Sequence, residues 1–188
     1  MTKKEVREKY KRLRQQLSEE AIEEKSLSIA NQLLKLDIWS KSYFHLFLTI
    51  KEKQEVESEF ILQVLQGRDK EVVVSRSNFE TREMTHYLLT DSTKFEKSEY
   101  NIYEPINGLK VPNEMIDVVF VPLLAYDKKG NRVGYGKGFY DAFLAQCKLD
   151  VLKIGVSFFE PEEAIEDVLL TDIGLDYCVT PYQVHSFL

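Results

Sequence analysis

The sequence predicts an α/β fold over residues 1–188: one three-layer domain with a mainly parallel or mixed central sheet flanked by helices. Three observations lead there. Asp117–Val121 and Ile154–Phe158 are nearly continuous apolar runs, as in strands buried on both faces. Between them lie a glycine-rich loop and a helix expected from about Tyr140 to Cys147, giving the order strand, loop, helix, strand of a βαβ unit. Ahead of them, apolar residues recur at helical spacing.

Taken in order, Val6, Tyr10, Leu13 and Leu17 mark a first amphipathic helix. Ser18 followed by Glu19 and Glu20 reads as the cap and acidic first turn of a second, whose buried face is Ile22, Ile29, Ala30, Leu33 and Leu34. Tyr43–Thr49 is an aromatic and β-branched run expected to be a strand. A charged loop and an amphipathic helix around Val56–Leu65 follow, with Gly67 expected to stop the helix. Glu71–Ser75 and Met84–Leu89 read as further strands. No internal repeat or low-complexity linker interrupts the chain.

With 188 residues, 44% hydrophobic and 30% charged, the composition is that of an ordinary soluble domain large enough to bury a real core. The net charge of −6 argues against broad binding to nucleic acid or an anionic membrane. The longest apolar run, Val118–Ala125, contains Pro122 and is too short to span a bilayer, and the basic and acidic N-terminus has no apolar signal core. Cys147 and Cys178 show neither disulfide-framework nor zinc spacing, which suits a reducing cytoplasm.

The segment from Tyr126 to Phe143, YDKKGNRVGYGKGFYDAF, carries the chemistry. Gly134, Gly136 and Gly138 stand at every second position, so the backbone can turn through positive φ and gather N–H groups around one bound group. Phosphate is the natural occupant: Arg132 supplies a planar fork, Lys137 a mobile point charge. Asp141 is an oxygen ligand suited to the magnesium of a nucleoside triphosphate. The pattern is not a Walker loop, because Gly138 follows Gly136-Lys137 where Ser or Thr belongs and Asn131 stands at the first glycine. Nor is it a dinucleotide fingerprint. The competing reading is a glycine-rich turn whose charges are merely solvated.

GNRVGYGKGFYDAFL resembles the signature of the 5-formyltetrahydrofolate cyclo-ligase family, which commonly reads G-x-R-[LV]-G-x-G-x-G-[YF]-Y-D. KKEVREKYKRLRQQLS resembles the family's opening helix, with Val6 for leucine and Arg7 matching its arginine. EVESEFIL, VVVSRSNFETREMTHYLL, NIYEP, DVVFVPLLAYD and DIGLDYCVTP resemble further family segments in the same order, so the likeness spans nearly the whole chain. Ser58 departs from the usual threonine, Ser75 stands where proline is common, and Phe139 replaces the first of two tyrosines. SFFEPEEAIEDVLL lacks the family's glutamine and later Ile-Pro, which leaves the role of Phe158–Leu170 open.

The resemblance implies ATP- and Mg2+-dependent conversion of 5-formyltetrahydrofolate, with or without a polyglutamate tail, to 5,10-methenyltetrahydrofolate with release of ADP and phosphate. It implies a cytoplasmic monomer. Arg132 and Lys137 become the catalytic cations. Lys3, Lys4 and Arg7, by default a solvated helix start, come to the nucleotide together with Gly134, Tyr135, Gly136, Gly138, Phe139 and Tyr140. Arg7, Ile50, Glu55, Tyr135, Phe139 and Tyr140 become substrate contacts. Glu55 otherwise reads as a first-turn charge, and the three aromatics as partly core. Asp141 becomes a metal ligand and Asp172, otherwise a loop aspartate, a second. His45, His86 and His185 lack metal spacing and read as structural. No general base is evident. Two other functions stay open at this point: a different ATP-dependent small-molecule ligase or kinase, and a non-catalytic nucleotide- or folate-binding protein.

Overall fold

The computed structural model describes residues 1–188. Helix α1 (Lys3–Gln15) begins on a capping box in which the Thr2 hydroxyl accepts the Glu5 N–H and the Glu5 carboxylate accepts the Thr2 N–H. In α2 (Glu19–Leu33) the Ser18 hydroxyl accepts the Ala21 N–H, and Ile22, Ile29, Ala30 and Leu33 face inward as their spacing predicts, whereas Leu34, expected on the same face, is the residue that caps the helix and is 43% exposed. Strand β1 covers only Tyr43–His45 of the expected Tyr43–Thr49: Leu46 donates one more bond to Val73, and the chain then leaves the sheet to line a cavity. Helix α3 (Ser58–Gly67) starts and ends two residues later than expected. Gly67 is its last residue, and the left-handed stop falls instead on Asp69, with φ 54°.

The rest of the chain gives β2 (Glu71–Ser77), β3 (Met84–Leu88), β4 (Phe95–Lys97), β5 (Tyr103–Pro105), β6 (Val118–Pro122), β7 (Ala125–Tyr126), β8 (Arg132–Val133), α4 (Phe139–Leu144), β9 (Leu152–Val156), β10 (Tyr177–Val179) and β11 (Val184–Ser186). Helix α4 stops short of Cys147, which closes a turn onto Leu144 instead. Seven strands form one mixed sheet in the order β11-β10-β9-β6-β1-β2-β3. The strands from β10 through β2 run parallel, and β3 and β11 are antiparallel edges. Alternation sorts the core into two layers. Val118, Phe120, Ile154 and Val156 pack with α2 and α3, while Val119 and Val121 pack with Phe143 and Leu144 of α4. Val6 and Tyr10 seat α1 on Leu124, Ala125 and Val133. The β4–β5 flap lies outside this sheet and was not anticipated, its strands being too short for a periodicity to register. No helix is long and apolar enough to cross a membrane.

Candidate active site

A cavity of about 360 Å³ opens at the carboxyl ends of β1, β2 and β6, where parallel sheets commonly bind ligands. Every residue expected at the site lines it except Lys4, which is exposed on α1 and faces elsewhere.

One end is cationic. Gly136 and Gly138 adopt φ of 88° and 75°, a region a side chain would strain. Gly134 does not, so only two of the three glycines use the expected freedom. Instead, the Gly134 carbonyl accepts the Arg7 Nε–H at 2.9 Å, and a Cβ on Gly136 would meet the Arg7 guanidinium at 3.4 Å. Arg7 thereby reaches from α1 across the loop. Lys137 is exposed and joins no ion pair, leaving its ammonium free for a ligand.

Arg132, its side chain 7% exposed, donates to Asp141 Oδ1 at 2.6 Å. Burial lowers its pKa, and Asp141 and Asp172 oppose that shift. Asp141 Oδ1 also accepts the Ile173 N–H at 3.0 Å. Asp172 Oδ2 accepts the Lys3 ammonium and the Leu169 N–H. Burial, which alone would raise the Asp172 pKa, is outweighed by those two bonds, and it is lowered. Asp141 Oδ2 and Asp172 Oδ1 take no hydrogen bond from the protein. No cluster of three metal-ligating side chains forms. The donor set fits magnesium, which is usually held by one or two carboxylates and completes its shell with phosphate oxygens and water.

The other end is acidic and aromatic. Glu55 is 4% exposed, and its Oε2 accepts the Ile50 N–H at 2.8 Å. Its pKa is raised chiefly by burial, against opposing pulls from the Ile50 N–H, Arg14, Tyr135 and Lys53. Arg14 escaped the sequence reading. Only 4% exposed, it donates to the Tyr135 hydroxyl at 2.7 Å and to the Leu123 carbonyl, fixing Tyr135 beside Glu55. A signal was present: Val6, Tyr10 and Arg14 form an i, i+4, i+8 stripe, so a cation continues an apolar face. Phe79, also missed, stacks on Tyr100 of the flap at 3.9 Å and meets Phe139 edge-on at 4.9 Å. The Phe139 ring thus keeps the aromatic wall without the tyrosine hydroxyl.

His45 and His86, expected to be structural, are joined through a serine that lines the cavity. Ser75 Oγ lies 2.7 Å from His45 Nε2 and 2.6 Å from His86 Nδ1, and burial lowers both imidazole pKa values, His86 to about 4. The serine in the proline position therefore completes a neutral hydrogen-bonded chain on the cavity wall. At Ser58 the hydroxyl bonds Thr49 Oγ1 at 3.0 Å, a contact available equally to threonine. The diverged segment clamps α1: Glu162 holds Lys9 and Tyr10, and Asp167 accepts the Lys3 N–H at 2.6 Å.

A model of the 5-formyltetrahydrofolate cyclo-ligase family matches residues 1–168. The chain belongs to that family. It is 31% identical to the 5-formyltetrahydrofolate cyclo-ligase of Mus musculus over 144 residues, 72% of this chain and 70% of the mouse protein. The NMR structure of the 5,10-methenyltetrahydrofolate synthetase of Aquifex aeolicus superposes with a TM-score of 0.82 at 30% identity, covering 100% of this chain and 93% of that one. The Mycoplasma pneumoniae 5,10-methenyltetrahydrofolate synthetase, at 21% identity and TM-score 0.76 over 96% of this chain and 99% of that one, shares the fold. The family resemblance read from the glycine segment is thus borne out, as is the mixed sheet.

Proposed function

We propose that the protein converts 5-formyltetrahydrofolate to 5,10-methenyltetrahydrofolate with consumption of ATP, using Mg2+. The observation that carries this reading is one cavity with a phosphate-shaped loop at one end and a buried carboxylate, Glu55, among aromatic rings at the other. A nucleotide and a flat heteroaromatic acid fit those ends separately. Membership of a family whose characterised relatives bear this activity's name supports it. The two free cysteines suit a reducing cytoplasm.

A formyl oxygen is a poor leaving group until phosphorylated. In the proposed sequence that oxygen attacks the γ-phosphorus, the bond to the bridging oxygen breaks, and ADP departs. N10 then adds to the activated formyl carbon, and the phosphate leaves with the C–O electron pair and takes up the N10 proton. The balance closes without a protein base. The chain's own work is positioning and charge neutralisation. Lys137 and Arg7 pair with phosphoryl oxygens, Arg132 orients Asp141, and the amides around Gly136 and Gly138 face the anion. A bound magnesium would share Asp141 and Asp172 and neutralise charge on the transferring group. Glu55 accepts N–H donors of the folate, with Ile50, Tyr135, Phe139 and Tyr140 covering its rings. The deciding assay is absorbance of methenyltetrahydrofolate formed with and without ATP. Product only when ATP and magnesium are both present is expected. ATP hydrolysis driven instead by another small acid would favour a different ligase.

A further inference from the structure

Glu104 is a buried acid that neither the glycine loop nor Glu55 accounts for. It sits at the centre of β5, between the exposed Tyr103 and the buried Pro105, and only 7% of it is exposed. Its Oε1 accepts the Ser77 N–H at 2.9 Å, and no other hydrogen bond reaches the carboxylate. No lysine, arginine or histidine pairs with it. Asp127, 1% exposed, shows what an internally satisfied carboxylate looks like here: it accepts from the N–H groups of Lys129, Asn131 and Ile165 and from the Asn131 side chain. Glu55 likewise has Arg14, Lys53 and Tyr135 around it. An ionised carboxylate offers about four acceptor sites, and Glu104 fills one. Because it lines the cavity, its remaining acceptor sites are open to the donors of a ligand.

We propose that Glu104 is the subsite for a 2-amino-4-oxopyrimidine edge, the part of the folate ring system that presents two parallel N–H donors. This rests on the folate reading of the cavity. Two coplanar donors match a carboxylate as a guanidinium does, so the edge reads the side chain as a fork. Phe79, Tyr100, Ile102 and Met84 line the same wall and leave room for a flat, otherwise apolar body. Glu104 also sets direction: donors bind at the flap, and the formyl-bearing side of the ring faces Arg7 and Lys137. Glu55, already partnered, takes the remaining ring N–H.

The test is calorimetric binding of 5-formyltetrahydrofolate and of its 2-deamino analogue to the wild-type protein, Glu104→Gln and Glu104→Ala. Glutamine keeps an acceptor for the Ser77 N–H and replaces only the charge; alanine serves should the amide disturb the flap. Wild type should bind the deamino analogue about ten- to a hundredfold more weakly, the range for a hydrogen bond to a charged group. Both variants should bind the parent compound weaker by a similar factor and distinguish the pair by less than about threefold, with MgATP binding and melting midpoint retained. Variants that discriminate like wild type, or a wild-type protein indifferent to the 2-amino group, overturn the subsite alone. A wild-type protein that binds neither compound overturns the folate reading and the subsite with it.

Discussion

The two ends of the cavity are built on opposite principles. At the glycine loop, main-chain turns at Gly136 and Gly138 and the cations Arg7 and Lys137 come from exposed or half-exposed positions, and charge is left free. At the flap end, Glu55, Glu104, His45 and His86 are all buried, and desolvation is the leading influence on the pKa values of Glu55, His45 and His86. An anion can be met by mobile cations and amides. A heterocycle must be read by groups held still in a low dielectric.

The largest expected effects lie at the cationic end. Lys137→Ala should lower turnover by roughly two to three powers of ten, the range for losing one preorganised stabiliser of developing charge, and leave the unfolding midpoint unchanged because Lys137 is exposed and unpaired. Arg132→Ala should cost as much in rate and also destabilise the fold, since it strands Asp141 beside a buried void. Equal rates for Lys137→Ala and wild type would remove the loop from the chemistry. Asp141→Asn comes next: it should raise the magnesium needed for half-maximal rate more than it weakens folate binding, because an amide keeps the shape but loses a hard anionic ligand. Superimposable magnesium titrations would shift the ion towards Asp172.

That contrast also explains what the sequence could disclose. The glycine end is contiguous, from Arg132 to Asp141, so residue type and spacing alone suggested phosphate. The βαβ frame around it was legible for the same reason: β6 is almost wholly buried and reads as an apolar run, and the Ile154–Phe158 run marks the buried second half of β9, although that strand starts earlier, at Leu152, and ends at Val156. The end proposed for the folate is assembled from Arg14, His45, Glu55, Ser75, His86 and Glu104, which meet only after five elements pack. Glu55 was found through family likeness, and Arg14 and Glu104 were not found. Short pieces such as β7, β8 and β11 hold two or three residues and carry no measurable period.

A binding experiment can separate the ends without chemistry. A ligand at about a hundred times its dissociation constant stabilises the fold by roughly 2.7 kcal/mol, or about 5–10 °C in melting temperature for a domain of this size. The ATP shift should require magnesium and shrink in Lys137→Ala. The 5-formyltetrahydrofolate shift should survive that change and shrink in Glu55→Ala. A single variant that abolished both shifts while still melting cooperatively would merge the two ends into one site.

The smallest effect tests whether the folate end is dry. Burial holds the Glu55 pKa above its ordinary 4.5, with the Ile50 N–H, Arg14, Tyr135 and Lys53 pulling the other way. A carboxyl raised in this way binds its proton more tightly folded than unfolded. Its contribution to stability is therefore complete below the unfolded value and is lost as pH rises through the folded one. Glu55→Gln is neutral at every pH and lacks that loss. The unfolding free energy of the variant relative to wild type should accordingly move in the variant's favour as pH rises above the ordinary Glu value of 4.5, measured by denaturant midpoints at each pH. Arg14→Met removes one of the opposing pulls, so its own deficit relative to wild type should deepen over the same range. A difference between Glu55→Gln and wild type that stays flat with pH would mean that Arg14 and Lys53 cancel the desolvation of Glu55. The contrast between the two ends would then rest on shape and hydrogen bonding, with burial contributing little.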